Sequence, residues 1–186
     1  MNLPNKLTTF RIILIPIFMI VLSIPLKWSL LFGHPASWVV AAVIFAIASL
    51  TDFIDGKIAR RRHLVTNFGK FADPLADKLI VMTALIFLTS YSVIPAWAVS
   101  IIVIRELAVT GLRTLIVEKN GTVFAAQWPG KIKTFTQMFS IIFIFCSDFS
   151  LSIPIGQILF YIAVIFTIYS GCEYFIKNRD VFSDGL

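Results

Sequence analysis

Long apolar segments dominate this chain and restrict its fold more than any other feature. Hydrophobic residues fill 58% of its 186 positions and charged residues 14%, against roughly 25% charged residues in soluble domains. A helix needs roughly 20 mainly apolar residues to cross a bilayer. The sequence therefore predicts an all-α integral membrane bundle in one domain, residues 1–186, with six transmembrane helices at 7–25, 37–60, 73–91, 94–117, 131–148 and 153–176.

The segment before the first span predicts a short N-terminal interfacial helix. Asn2, Pro4 and Asn5 are residues that suit the capped start of a helix. Thr8 and Arg11 follow at the start of the apolar run. Because Arg11 lies inside an apolar segment and needs a partner, both residues are candidates for a functional site.

Basic residues gather on one side of the predicted membrane. They follow the second, fourth and sixth spans and precede the first, whereas the opposite side has only Lys27. The positive-inside rule therefore predicts that both termini are cytoplasmic. The net charge of +6 suits membrane orientation, anionic lipid headgroups or a phosphorylated substrate. No nucleic acid partner is expected, because no lysine-rich arm or base-stacking surface is present.

Four aspartates lie where the second and third spans meet. Asp52 and Asp55 are spaced i,i+3, and Asp73 and Asp77 are spaced i,i+4, so each pair shares one face of its helix. The basic connection, roughly 61–71, makes the two helices an antiparallel hairpin. Both pairs should then lie at similar depth near the cytoplasmic end, where four carboxylates can converge.

Four close carboxylates repel one another unless they are protonated or hold cations. Hard divalent cations prefer oxygen ligands, and two such ions held by shared carboxylates form a clamp for phosphoryl chemistry. The pattern thus predicts a Mg²⁺ site that holds a diphosphate. The alternative is a salt-bridge cluster in which nearby cations neutralise the aspartates: Lys57, Arg60, Arg61, Lys70 and Lys78.

Neighbouring residues support a phosphate ligand. Gly56, Ala59 and Gly69 leave backbone accessible to a bulky molecule. Arg60 lies about one turn after Asp55, where its guanidinium could meet a phosphate.

The segment reads D-x2-D-G-x2-A-R-x8-G-x3-D-x3-D and resembles the signature of the CDP-alcohol phosphatidyltransferase family. The likeness covers nearly the whole chain. "NLPNKLTTFRIILIP", "IRELAVTGLRTL", "GKIKTFTQM" and "FTIYSGCEYF" are similar to segments of the bacterial members whose acceptor is sn-glycerol 3-phosphate.

The resemblance implies a reaction and its cofactors. Members have six transmembrane helices, are usually homodimers in the bacterial cytoplasmic membrane, and open their active site to the cytoplasm. They bind CDP-diacylglycerol and two divalent cations, Mg²⁺ or Mn²⁺. An alcohol hydroxyl attacks the phosphorus on the diacylglycerol side, and CMP leaves.

The resemblance also implies residue roles. Asp52, Asp55 and Asp73 would be metal ligands, and Asp77 would be both a ligand and the general base. The CDP-diacylglycerol site would be formed by Asp52, Asp55, Gly56, Ala59, Arg60 and Gly69.

The dianionic acceptor would need a basic pocket. Arg105 and Arg113 are about two turns apart on one face of the fourth helix, and Lys131 and Lys133 open the fifth. We expect these four residues to bind glycerol phosphate, with lipid headgroups as the alternative role for the two lysines.

Arg105 would be costly inside the membrane without a partner. The alternative to phosphate binding is an ion pair with an aspartate or with Glu173. We expect Glu106, although adjacent in sequence, to point elsewhere on the helix.

Other functions remain as hypotheses. Within the family, the acceptor could be inositol phosphate, serine or phosphatidylglycerol. Outside it, a divalent-cation transporter would place carboxylates near the bilayer midplane on broken helices. A structural scaffold would leave Arg60 and the glycine spacing unexplained.

Overall fold

The computed structural model describes the backbone of residues 3–24, 35–62, 67–118 and 128–179; the side chains of 3–5, 52–62, 67–71, 73–74, 117–118 and 150 lie outside that description. Within these ranges the chain is helical and has no strand, which confirms the all-α prediction. The helices are α1 Leu3–Ser23, α2 Ala36–Arg62, α3 Asn67–Ser90, α4 Ala96–Glu118, α5 Trp128–Phe145 and α6 Ile155–Lys177, with a 3₁₀ turn at Ser147–Ser150.

The N-terminal region differs from the prediction of a separate interfacial helix. α1 begins at Leu3 and runs continuously to Ser23, so the expected short helix is the first part of the first span. The cause is local. Pro4 lies in the first turn, where backbone N–H groups have no acceptor within the helix, so its missing N–H costs no hydrogen bond. No further proline or glycine interrupts the chain before Pro16.

The described surface is strongly apolar. The segments Lys6–Ser23 and Ile155–Lys177 are long and apolar enough to cross a membrane, with mean hydropathies of 1.9 and 1.8. Large apolar side chains also project outward from the other helices, among them Val43, Ile86 and Ile104. Exposed apolar surface of this extent is typical of a protein that faces lipid, and it agrees with a membrane bundle.

The helices pack around a core of aromatic and small residues. α1 packs against α2 and α3, and α6 packs against α5 and α4. Phe18, Phe45 and Phe145 are fully buried, as are Ala41 and Ala48. Small residues let helix backbones approach closely, which favours helix association in lipid, where no water is expelled.

An aromatic cluster closes one end of the bundle. The Trp38 ring lies 5.1 Å from that of Tyr91 and 5.7 Å from that of Phe145. The Tyr91 hydroxyl donates a hydrogen bond of 2.6 Å to the carbonyl of Leu22. These contacts join α1, α2 and α5 to the turn after α3. The ionisable residues described below lie toward the opposite end.

The turn between α5 and α6 is fastened by side-chain hydrogen bonds. Asp148 has a left-handed backbone (φ 51°), and its carboxylate accepts a 2.5 Å hydrogen bond from the N–H of Gly156. The hydroxyl of Ser140 donates to the Gly156 carbonyl at 2.7 Å. A Cβ at Gly156 would lie only 2.7 Å from Cγ1 of Ile144, so the absence of a side chain permits this close packing.

Candidate active site

A cavity of about 190 Å³ lies between α3, α4 and α5. Its walls combine apolar residues with six ionisable ones: Asp77, Lys78, Arg105, Glu106, Arg113 and Lys133. Charged side chains on inward faces of a membrane bundle are costly and usually functional. The cavity is therefore the candidate site.

Asp77 presents its carboxylate to this cavity from α3. The residue is half-buried, and Arg11, Lys78 and Lys133 lie within electrostatic range of it. Among the described side chains, none forms a hydrogen bond or ion pair with its oxygens. The carboxylate is thus placed to accept a proton or to bind a cation from a molecule in the cavity.

The other signature residues are defined by their backbone. α2 is helical through Asp52, Asp55 and Arg60, and α3 is helical through Gly69 and Asp73. Helical spacing puts the first two aspartates on one face of α2, and Asp73 and Asp77 on one face of α3. The side chains of the signature other than Asp77 lie outside the described part, so the convergence of four carboxylates stays a prediction.

Arg11 is fully buried in α1, as is Thr8 one turn before it. The guanidinium Nε of Arg11 donates a 3.3 Å hydrogen bond to the carbonyl of Ala48. Ala48 lies one turn before Asp52 on α2. The Arg11 side chain therefore carries its charge to the α1–α2 interface beside the aspartate-bearing segment.

Glu106 contacts three cations. Its Oε1 lies 3.0 Å from Nη1 of Arg105 and also binds Nζ of Lys133, while its Oε2 lies 4.0 Å from Nζ of Lys78. The expectation that Glu106 would point away from Arg105 was wrong. Both side chains are long enough to bend into the cavity, where Lys133 from α5 draws the carboxylate in.

Arg105 is held by α6 as well. Its Nη2 donates a 3.0 Å hydrogen bond to the hydroxyl of Ser170, and its Cγ lies against Gly171. Glu173 instead pairs with Lys177, at 2.6 Å and one turn away. The alternative in which Glu173 neutralises Arg105 is therefore wrong.

Arg113 and Tyr174 face each other across α4 and α6. The Arg113 guanidinium lies 5.5 Å from the centre of the Tyr174 ring, a cation–π contact. Nε of Arg113, Nε of Arg105 and the hydroxyl of Tyr174 are buried without a hydrogen-bond partner in the described part of the chain. Unsatisfied donors of this kind call for an explanation, and a bound anion would supply the missing acceptors.

The two lysines at the start of α5 are separated. Lys133 is buried in the cavity wall. Lys131 is exposed, and its ammonium lies 5.4 Å from the centre of the Trp128 ring. Lys131 does not contribute to the lining of the cavity that Lys133, Arg105 and Arg113 share.

Lys78 and Glu106 belong to the cavity although neither was predicted as a site residue. Lys78 donates a hydrogen bond to the hydroxyl of Thr110, which in turn donates a 2.6 Å bond to the carbonyl of Glu106. The signal for both was their position. Each is a charged residue in a mainly apolar helix, next in sequence to a residue already assigned to the site.

Comparison with known proteins identifies the family. The family model of CDP-alcohol phosphatidyltransferase matches residues 1–169. The CDP-diacylglycerol--glycerol-3-phosphate 3-phosphatidyltransferase of Bacillus subtilis is 47% identical over 184 residues, which cover 95% of each chain.

Two further relatives have matching names. The enzyme of the same name from Blochmanniella floridana is 35% identical over 178 residues, 93% of this chain and 88% of the relative. A probable phosphatidylglycerophosphate synthase of Mycobacterium tuberculosis is 36% identical over 185 residues, 97% and 83% of the two chains. A match of this extent confirms the resemblance seen in the signature: the chain belongs to the CDP-alcohol phosphatidyltransferase family.

Proposed function

We propose that this protein is a phosphatidylglycerophosphate synthase, which transfers the phosphatidyl group of CDP-diacylglycerol to sn-glycerol 3-phosphate and releases CMP. The names of the relatives support this reaction. Their alignments extend over nearly all of the chain, so we assign the activity to residues 1–186 as one domain.

One observation carries the proposal. The carboxylate of Asp77 opens into the same cavity as four cations, Lys78, Arg105, Arg113 and Lys133. An acceptor whose phosphate is bound by those cations would hold its free hydroxyl near Asp77. Fixing the two reacting groups in this way supplies a large part of the rate acceleration in such a reaction.

The cavity favours a small phosphorylated acceptor. Serine, which has no phosphate, would leave the cations without an anion of matching charge, and desolvated cations are costly when unpaired. Phosphatidylglycerol carries a phosphodiester with a single negative charge, which neutralises the four cations less well than a dianionic phosphate monoester does. Inositol phosphate shares the phosphate group with glycerol 3-phosphate, and the names of the relatives favour the latter.

Asp77 acts as the general base in this proposal. It accepts the proton of the glycerol 3-phosphate hydroxyl as that oxygen bonds to the phosphorus on the diacylglycerol side. The bond from this phosphorus to the oxygen of CMP breaks, and CMP leaves with the bonding electron pair. A carboxylate is a weak base for an alcohol, so the surrounding positive charge must stabilise the transition state.

The donor set of the signature fits a pair of hard divalent cations. Asp52, Asp55, Asp73 and Asp77 offer only carboxylate oxygens, which Mg²⁺ and Mn²⁺ prefer, and the Asp77 oxygens have no protein partner among the described side chains. When bound, the cations would neutralise the diphosphate of CDP-diacylglycerol. We assign the remainder of the CDP-diacylglycerol site to Gly56, Ala59, Arg60 and Gly69.

The proposal includes a cellular location, an orientation in the membrane and an oligomeric state. We place the protein in the bacterial cytoplasmic membrane as six spans, with both termini and the site facing the cytoplasm, and we expect a homodimer. Lys131 and Trp128 suit the membrane interface, where aromatic rings and cations meet headgroups. Arg11 and Thr8, which are buried in α1, would support the aspartate-bearing segment of α2 from the α1 side.

A divalent-cation transporter is the less favoured reading. Helices α2 and α3, which carry the four aspartates, are unbroken as far as the structure describes them. Transporter sites are typically built on interrupted helices.

The purified protein tests the proposal directly. CMP release from CDP-diacylglycerol should require both a divalent cation and glycerol 3-phosphate, whereas serine, inositol phosphate and phosphatidylglycerol should give little product. Release with another acceptor at equal or higher rate would change the assigned alcohol. A lack of CMP release with every acceptor, in Mg²⁺ and in Mn²⁺, would contradict the family activity itself.

A further inference from the structure

We propose that Glu106 is a positioning residue that assembles the cations of the acceptor site. This inference rests on the proposed function and assigns a role to a residue that does not itself bind the acceptor. A carboxylate repels a phosphate, so Glu106 acts through the cations that it contacts.

The contacts of Glu106 reach three helices. The carboxylate binds Arg105 on its own helix α4, Lys133 on α5 and, more distantly, Lys78 on α3. Among the described side chains, no other carboxylate touches more than one of these cations. Lys133 and Arg105 are long side chains with many rotamers, and the shared partner restricts them to the cavity before substrate arrives. Such preorganisation lowers the entropic cost of binding.

The charge of the cavity supports this role. Its lining includes four cations and two carboxylates, a formal excess of two positive charges that matches the two negative charges of a phosphate monoester. Without Glu106 the cations would repel one another at short range and in a poorly solvated place. We therefore expect the cationic side chains to turn away from the cavity, rather than to stay in place and bind the phosphate more tightly.

The substitution Glu106→Gln tests this role, because it keeps the shape of the side chain and removes its charge. We expect the KM for glycerol 3-phosphate to rise about tenfold, in line with the loss of charge-assisted contacts, while the KM for CDP-diacylglycerol changes less than about twofold. Glu106→Asp should recover part of the loss. The matched control is Glu173→Gln, which removes the carboxylate of an ion pair outside the cavity and should leave both KM values unchanged.

Measuring Glu106→Gln in a protein that already carries Lys133→Gln distinguishes the positioning of Lys133 by Glu106 from a general loss of structure. If Glu106 works by holding cations, the further change to Glu106→Gln should raise the KM for glycerol 3-phosphate by less than about threefold in that background. The double variant also keeps the net charge, so it remains measurable if Glu106→Gln alone does not fold.

Two results would overturn the inference. One is an unchanged KM for glycerol 3-phosphate in folded Glu106→Gln. The other is an equal factor in both backgrounds, which would mean that Glu106 and Lys133 act independently. Both require an active wild-type protein, whereas a wild-type protein that releases no CMP would instead contradict the proposed function.

Discussion

Arg105 and Glu106 are neighbours in sequence, yet Nη1 of the arginine lies 3.0 Å from Oε1 of the glutamate. Successive residues of a helix diverge by about 100°, so they do not normally face each other. Here both side chains line one cavity, where Glu106 binds Lys133 from α5, while Arg105 also donates a hydrogen bond to Ser170 on α6. The pair is thus a product of tertiary packing.

Asp77→Asn should abolish transfer while preserving the fold. Asparagine fills the same space but cannot accept the hydroxyl proton, and general-base catalysis typically contributes 10²–10⁴-fold. We therefore expect kcat to fall by about 100-fold or more, with unchanged helix content by circular dichroism in detergent. Near-normal activity of this variant would exclude Asp77 as the base.

Arg113→Ala should weaken acceptor binding selectively. Arg113 lines the cavity with a buried Nε that has no hydrogen-bond partner among the described residues. Loss of a charge-assisted hydrogen bond worth about 1.5–3 kcal/mol should raise the KM for glycerol 3-phosphate roughly 10- to 100-fold, with a smaller effect on CDP-diacylglycerol. Lys131→Ala is the control, since its ammonium lies over Trp128, outside the cavity lining. Equal effects of the two substitutions on the KM for glycerol 3-phosphate would contradict the assignment of Arg113, but not Lys131, to the acceptor site.

Gly171→Ala should disturb the site from the α6 side. A Cβ at this position would lie 3.0 Å from Cγ of Arg105, so the arginine must shift. Because the shifted guanidinium would lose its bond to Ser170, we expect a several-fold higher KM for glycerol 3-phosphate, on the order of 1 kcal/mol.

Gly111→Ala provides the comparison on α4, because a Cβ there meets nothing within 4 Å. Alanine favours the helix by about 1 kcal/mol over glycine, so this variant should be as stable as the wild type or more so, with normal kinetics. The steric explanation would fail if Gly171→Ala behaved in the same way.

Arg11→Gln should reduce both stability and activity. Arg11 is fully buried, its Nε binds the Ala48 carbonyl, and its charge acts on Asp77. We expect the free energy of unfolding to fall by about 2 kcal/mol, measured by denaturant titration in detergent, together with lower kcat. Lys6→Gln in the same helix should change neither, because Lys6 is exposed. A fully stable and active Arg11→Gln would show that the buried charge is dispensable.

Sequence patterns predicted the helices and several site residues for clear physical reasons. Apolar runs of membrane-spanning length leave few alternatives to a helix, and Asp77, Arg105, Arg113 and Lys133 were charged residues that a bundle interior must accommodate. The separation of Lys131 from Lys133 follows from the same geometry, since residues two apart lie on different sides of a helix.

Other features depend on tertiary structure. The position of the Glu106 carboxylate depends on where α5 brings Lys133, which no local pattern in α4 contains. The alternative in which Glu173 pairs with Arg105 failed because that glutamate has a partner one turn away in Lys177. The convergence of Asp52, Asp55 and Asp73 on Asp77 stays a prediction based on helical spacing.

The fastening of α5 to α6 through Asp148 and Gly156 has a consequence for biogenesis. The ribosome makes the aspartate-bearing hairpin early, whereas Lys133 and Ser170 belong to the later α5–α6 hairpin. A nascent chain therefore possesses its signature aspartates well before it can complete the acceptor pocket. Premature termination before α6 should yield a product that lacks Ser170 and therefore holds Arg105 less firmly in the acceptor pocket.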